Sequence, residues 1–338
     1  MRIGLVAGPW LPVPPPAYGG TEGVIDRLAT GLLAAGHDVL LFTTGDSTCP
    51  VPRAWARERA APERLGESFV ELHHLVHAYD AVQDCDIVHD HTILGPAYAR
   101  CRPGVLVTTN HGPFLRELND IYERAARHAA IVAISHDQAS RATMPVAAVI
   151  HHGLGPDAFA AGAGDGGYLL FLGRFHPDKG AHEAVRLARE AGVPLLLAAK
   201  MREQAEVEYY EQHVEPLLGD GIEYVGEVGP ADKLALLGGA RALLNPIRWA
   251  EPFGLVMIEA LACGTPVLAS PMGAAPEIVD DGRTGYLCDT SEEFLAAIAK
   301  VGGLDRDACR RDAALRFSAD RMVAQHVALY ERLLAATR

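Results

Sequence analysis

Short uninterrupted apolar runs alternate along the chain with longer stretches of helical spacing. Residues 2–7 (RIGLVA), 37–44 (HDVLLFTT), 85–91 (CDIVHDH), 104–111 (GVLVTTNH), 129–135 (AAIVAIS) and 147–153 (AAVIHHG) read as strands. Between the first two, Val24, Leu28 and Leu32 recur at helical spacing ahead of Gly36, which predicts a helix over 21–35. Apolar strands separated by helices predict a parallel sheet covered on both faces.

The pattern then restarts. Residues 160–167, AAGAGDGG, carry no apolar side chain larger than Ala and read as a flexible linker. Strands follow at 168–174, 194–200, 222–227, 242–247 and 266–270, with helices at about 178–191, 204–217, 230–239 and 255–262 between them. The expected fold is α/β: two Rossmann-like doubly wound domains, 1–159 and 168–317, joined by the linker. Ligands bind such sheets at the carboxyl ends of the strands, so a cleft between facing ends is expected. The terminal segment, with Met322, His326, Leu329 and Leu333, reads as a helix.

The glycines of GAGDGG do not form a dinucleotide fingerprint, because that motif follows a strand and opens a helix. Here the glycines precede a strand. A net charge of −13 argues against nucleic-acid or anionic-membrane partners. No 18-residue uncharged apolar stretch is present, and the run Ile3–Ala7 is too short for a signal-peptide core. The cysteines at 49, 85, 101, 263, 288 and 309 show no C-x-x-C spacing and read as reduced, mostly buried thiols of a cytoplasmic protein.

Two stretches carry candidate chemistry. In EPFGLVMIEALACGTPV, residues 251–267, Glu251 falls in a loop and Glu259 about one turn into the following helix. Two carboxylates beside the N–H groups of Phe253, Gly254 and Leu255 suit a polyhydroxylated ligand. An acidic first turn complementing the helix dipole is an equally good reading of this stretch alone. In LGRFHPDKG, residues 172–180, Arg174 ends a strand and Lys179 opens a helix. That placement suits a shared anion, or else two solvated surface cations.

Together G-R-x4-K-G and E-x7-E resemble the retaining glycosyltransferases of GT-B architecture, family 4 type. YGGTE, TNHG (109–112), IVAIS (131–135), VIHHG (149–153) and IEYVGEV (222–228) fall in the matching order. The resemblance implies a nucleotide-diphosphate-sugar donor whose diphosphate is held by Arg174 and Lys179. It places Glu259 on the ribose, and Glu251 with Phe253, Gly254 and Leu255 on the sugar. Gly226, Glu227 and Val228 would border the base, Gly19 and Gly20 would admit the diphosphate, and His111 would lie beside the reacting carbon. It also implies that helix 318–338 returns to complete the N-terminal domain. Thr21 is a plausible cap for the first helix.

No cofactor or metal is expected. DCD at 84–86 has the spacing of a metal-binding acidic pair but precedes a strand and reads as a loop. His89, His91 and His111 also admit a three-imidazole zinc reading, against an acceptor-site role for His111. The sequence departs from the family at His152, where Asn is usual, and at Lys200, where Gly is common. The expected activity is transfer of the sugar, with retention, to a small-molecule or glycan hydroxyl. A nucleotide-sugar 2-epimerase and a non-catalytic nucleotide-sugar-binding subunit are the alternatives.

Overall fold

In the computed structural model of the protein, residues 1–17, 19–98, 104–155, 158 and 160–337 are described. Contacts divide the chain into two units, Met1–Gly153 with Ala319–Arg338, and Leu154–Ser318.

Unit 1 holds β1 (Arg2–Val6), β2 (Asp38–Thr43), β3 (Arg53–Trp55), β4 (Ile87–Asp90), β5 (Val105–Thr109), β6 (Ala129–Ala133) and β7 (Ala148–Val149). Their order is β3-β2-β1-β4-β5-β6-β7, every pair parallel. Unit 2 holds β8 (Leu169–Arg174), β9 (Leu195–Lys200), β10 (Ile222–Gly226), β11 (Ala242–Asn245), β12 (Val267–Ala269) and β13 (Gly285–Leu287). Their order is β10-β9-β8-β11-β12-β13, again parallel throughout. Central strands are buried on both faces, as their continuous apolar runs require; Ile3, Leu5, Val6, Leu169 and Leu170 have no exposed surface. In each sheet the strand order reverses at one point, between β1 and β4 and between β8 and β11. Strand carboxyl ends at such a switch point are where doubly wound sheets bind ligands.

The short edge strands β3 and β13 were not expected. Each is three residues long, too short to show a periodicity. The stretch 45–65 is tied down around β3, with Gly45 N donating to Arg57 O at 2.9 Å and Ala61 N to Pro9 O at 3.0 Å.

The first helix runs Gly20–Ala34 with Gly19 as its N-cap, and no side chain caps it, so Thr21 lies inside the helix and does not serve as the cap. A Cβ on Gly19 would stand 2.6 Å from Pro15 Cβ, so this glycine also lets the proline-rich loop fold back on the helix start. That loop is anchored further on, where Val13 N donates to Ser47 Oγ at 2.9 Å and Val13 O accepts from Cys49 N at 2.8 Å. The terminal helix Ala319–Ala336 packs in unit 1 against Gly20–Ala34. Gly31 is the point of approach, since a Cβ there would meet Val323 Cγ2 at 2.4 Å.

The glycine-rich stretch 160–167 differs from the expected flexible linker. Gly162, Gly164 and Gly166 donate to the carbonyls of Cys263, Gly238 and Gly239 at 3.1, 2.9 and 3.0 Å. The Arg306 guanidinium clasps the same place, donating to Gly162 O, Ala240 O, Gly238 O and Thr265 Oγ1. Glycine is needed because a Cβ on Gly162 would fall 2.1 Å from Gly238 Cα. Residues 154–167 are therefore part of unit 2, and the change of unit comes at Gly153–Leu154. The expected boundary at residue 159 lies outside the described residues, as does Cys101. Cys49, Cys85, Cys263, Cys288 and Cys309 are free and buried.

Candidate active site

In unit 2 the two motifs meet. β8 ends in Arg174, and β11 next to it leads into the loop that carries Glu251. Lys179 lies at the end of a 3-10 turn, Pro177–Lys179, and its Nζ pairs with Glu251 Oε1; both side chains are 13 % exposed. The Lys179 ammonium also lies 5.4 Å from the centroid of the Trp249 ring. Arg174, half-buried at the strand end, makes no side-chain hydrogen bond or ion pair among the described residues.

Glycines set the close approaches. Gly180 has φ 72°, and a Cβ there would be 2.3 Å from Pro246 O, so the Lys179 turn lies against the β11 loop. Gly273, φ 60°, sits against the Glu251 peptide, where a Cβ would be 2.3 Å from both Glu251 N and O. Ala274 N donates to Glu251 O at 3.0 Å, and Arg248 N to Asp178 O at 2.8 Å. The backbone carrying Lys179 and Glu251 is thus held from both sides.

The helix Leu255–Ala262 begins at Gly254, φ 92°, with no side-chain cap, and Phe253 before it is buried. Its first N–H groups lack intrahelical acceptors, which leaves donors beside Glu251. Glu259, one turn in, pairs with Lys233 Nζ at 2.6 Å from the helix Pro230–Gly239. Sequence reading did not single out Lys233, because nothing local distinguishes it from a solvated helix cation. Gly226 ends β10 at φ 87° in open space. Val228 follows it, and Glu227 accepts two bonds from Arg202, at 2.9 and 2.5 Å. Lys200 is held by Glu203 at 2.9 Å and by the buried Glu206 at 3.3 Å.

In unit 1, His111 follows β5 on a turn braced by Gln138, whose Nε2 donates to Asn110 O at 2.9 Å and Gly112 O at 2.6 Å. His111 Nε2 and His91 Nδ1 are 2.9 Å apart, and His111 stacks on His152 with centroids 5.2 Å apart. Burial, then the neighbouring His326, pushes the His111 pKa down to about 3. His89 does not complete a three-imidazole set. Both its nitrogens are committed at 2.7 Å, Nδ1 to Tyr330 OH and Nε2 to Thr109 Oγ1. DCD at 84–86 lies in the turn before β4, where Asp86 accepts from Arg2 N at 2.7 Å. No described helix is long and apolar enough to cross a membrane.

Comparison with known proteins identifies the family. The model for Glycosyltransferase Family 4 matches residues 18–157, and that for Glycosyl transferases group 1 matches residues 159–311. The phosphatidyl-myo-inositol mannosyltransferase of Mycobacterium tuberculosis (strain ATCC 25618 / H37Rv) is 27% identical, over 90% of this chain and 86% of that protein. AviGT4, a glycosyltransferase involved in avilamycin A biosynthesis, superposes with a TM-score of 0.73 at 26% identity, covering 99% of this chain and 98% of AviGT4. Sucrose-phosphate synthase from Thermosynechococcus elongatus shares the fold, with a TM-score of 0.83 at 22% identity over 99% of both chains. Two adjacent family matches covering most of the chain, on two parallel doubly wound sheets, assign it: the protein is an enzyme, a GT-B glycosyltransferase of the family 4 type.

Proposed function

We propose that the enzyme is a retaining transferase that moves a sugar from a nucleotide-diphosphate donor to an acceptor hydroxyl, without a metal ion. The observation that carries this reading is the meeting of Lys179 with Glu251 in unit 2, with Arg174 at the carboxyl end of β8 making no side-chain hydrogen bond or ion pair among the described residues. A diphosphate is the ligand that such a pair of cations suits, and polyhydroxylated sugar is what the neighbouring carboxylate and helix N–H groups suit.

On this reading Arg174 and Lys179 neutralise the diphosphate as it departs. Each charge-assisted hydrogen bond contributes about 1.5–3 kcal/mol, and those that strengthen as charge develops accelerate the step. When the diphosphate engages Lys179, the Glu251 carboxylate is released to accept from sugar hydroxyls. Glu259 takes the ribose hydroxyls, and Gly226 to Val228 border the base. Gly19 and Gly20 admit the diphosphate, and His111 of unit 1 lies beside the reacting carbon.

Retention is assigned to front-face attack. The bond from the anomeric carbon to the phosphate oxygen breaks, the bond to the acceptor oxygen forms on the same face, and the acceptor proton passes to the departing phosphate. On this reading Glu251 is engaged by the sugar hydroxyls and Glu259 by the ribose and Lys233, so neither is assigned as a nucleophile at the anomeric carbon.

A thermal-shift screen of nucleoside diphosphates and their sugars, followed by NMR of the product's anomeric centre, tests the reading. A rise in melting temperature with one donor and a retained anomeric configuration are expected. Inversion, a trapped glycosyl-enzyme, or epimerised sugar formed from donor alone would each overturn it. HepE of Anabaena, an 18% identical relative in fold, was solved with UDP-glucose, so UDP-sugars belong at the front of the screen.

A further inference from the structure

The helix Ser68–Ala81 of unit 1 carries apolar side chains on two sides. Val70, Leu75, Ala78 and Tyr79 are buried in the core, as the inner face of a surface helix requires. The outer face of such a helix is ordinarily polar, yet Phe69, Leu72 and Val76 are 86, 41 and 39 % exposed. Steps of three and four residues align them in one stripe, and His73 and His77 flank it with ring centroids 4.9 Å apart. Leu65, just ahead of the helix, is exposed, as is Trp55 on the edge strand β3 that packs beside it. Single exposed apolar residues are ordinary, but a grouped set of this kind marks a contact surface.

The two ends of the stripe carry opposite, unsatisfied groups. At the carboxyl end Asp80 is exposed in line with Phe69 and Val76, and it makes no hydrogen bond or ion pair among the described residues. It lies in the last turn of its own helix, where the dipole disfavours an acid. At the amino end no side chain caps the helix, and the N–H groups of Ser68 and Phe69 have no acceptor among the described residues. Arg64 gives Nε and Nη2 to Glu67, at 3.1 and 2.6 Å, which leaves its Nη1 without a bond there.

We propose that this face is the contact between two copies of this chain, with the two helices antiparallel about a two-fold axis beside Leu72 and His73. A two-fold axis pairs i with j and j with i, so one register serves both ends at once. Phe69 of each copy packs on Val76 of the other, and Leu72 meets His73 across the axis. Asp80 of each copy reaches the uncapped amino end of the other helix and the Arg64 Nη1 beside it. A parallel pair would instead set Asp80 against Asp80. A lipid surface fits less well, because Asp80 stands in the stripe itself and the net charge of −13 opposes anionic headgroups. The inner face of the same helix is tied to strand-end loops. Glu71 Oε1 accepts from Ile93 N at 2.7 Å and Leu94 N at 2.9 Å, and His74 Nε2 donates to Ala7 O at 2.9 Å. Pairing therefore braces, from outside, the helix that holds the loops after β1 and β4.

The test is sedimentation velocity and light scattering on the full chain over a wide range of concentration, with cross-linking to read the register. The wild type should run at twice the chain mass, and its melting temperature should rise with protein concentration. Phe69→Asp should be monomeric where the wild type is dimeric, with an unchanged far-UV spectrum. Asp80→Arg should weaken the dimer about tenfold. Phe69→Cys mixed with Val76→Cys should give a disulfide-linked dimer under mild oxidation, and neither variant should do so alone. A wild type that stays monomeric at every concentration, a dimeric Phe69→Asp, or Phe69→Cys that links to itself would each overturn the proposal. A monomer that sediments with phosphatidylcholine vesicles would assign the face to lipid and overturn it too.

Discussion

Lys233 Nζ lies 2.6 Å from Glu259 Oε1, joining the helix Pro230–Gly239 to the helix Leu255–Ala262. The carboxylate assigned to the donor's ribose is thus held by a cation from a neighbouring element. Lys233→Met should raise donor KM about tenfold and change kcat less, because a lost positioning bond of about 1.4 kcal/mol weakens ground state and transition state alike. Steady-state kinetics with varied donor checks this, and an unchanged KM would remove Lys233 from the site.

Arg174→Ala or Lys179→Ala should lower kcat about 10²–10³-fold, the cost of removing one donor from a developing anion. Circular dichroism melts should show far smaller changes. Near-full turnover in either variant would cancel the diphosphate assignment.

If Arg174 and Lys179 neutralise the diphosphate as proposed, activity should persist in EDTA. Loss in chelator with recovery on adding a divalent ion would show that a metal bridges the diphosphate.

Gly180→Ala should impair both fold and turnover. At φ 72° its Cβ would stand 2.3 Å from Pro246 O, pushing apart the turn of Lys179 and the loop of Glu251. A loss of about 1–3 kcal/mol in unfolding free energy is expected, together with lower kcat. Wild-type denaturation and kinetics would show that this approach is not needed.

Stability should respond to pH through two opposed groups in unit 1. Burial holds His89, His91, His111, His152 and His326 below the usual histidine range, with His111 at about 3 and His326 at about 4. Arg27 near His152 and Arg321 near His326 act in the same direction. The unfolded chain takes up these protons first, so stability is full above about pH 6.5 and is lost as pH falls towards those values.

Glu22 runs the other way. Its burial raises it from 4.5 to about 7, so the folded chain keeps a proton that the unfolded chain releases, and stability falls as pH rises from 4.5 to 7. Glu22→Gln should match the wild type near pH 4 and exceed it above pH 7 by on the order of 3 kcal/mol. Melting curves across pH 4–8 decide, and parallel curves for the two proteins would refute the Glu22 assignment.

Much of this molecule was legible in the order of its residues. Strands buried on both faces must be continuous apolar runs, so both sheets, their parallel sense and most helices follow from spacing. Lys179 and Glu251 stood out because their residue types and neighbours form recognisable motifs. What local pattern did not reach was pairing over long separation. Glu251 meets Lys179 across 72 positions, Lys233 meets Glu259 across 26, and Tyr330 meets His89 across 241. The stretch 160–167 shows the same limit. Its glycines predict freedom for an isolated chain, yet glycine also permits the close packing on Gly238, where a Cβ on Gly162 would fall 2.1 Å from Gly238 Cα and where Arg306 clasps the backbone. Composition and periodicity thus determined which segments become strands and helices and which residues carry charge. Only the order of the strands in each sheet decided which of those charges became neighbours, because side chains at strand ends meet by position in the sheet and not by position in the chain.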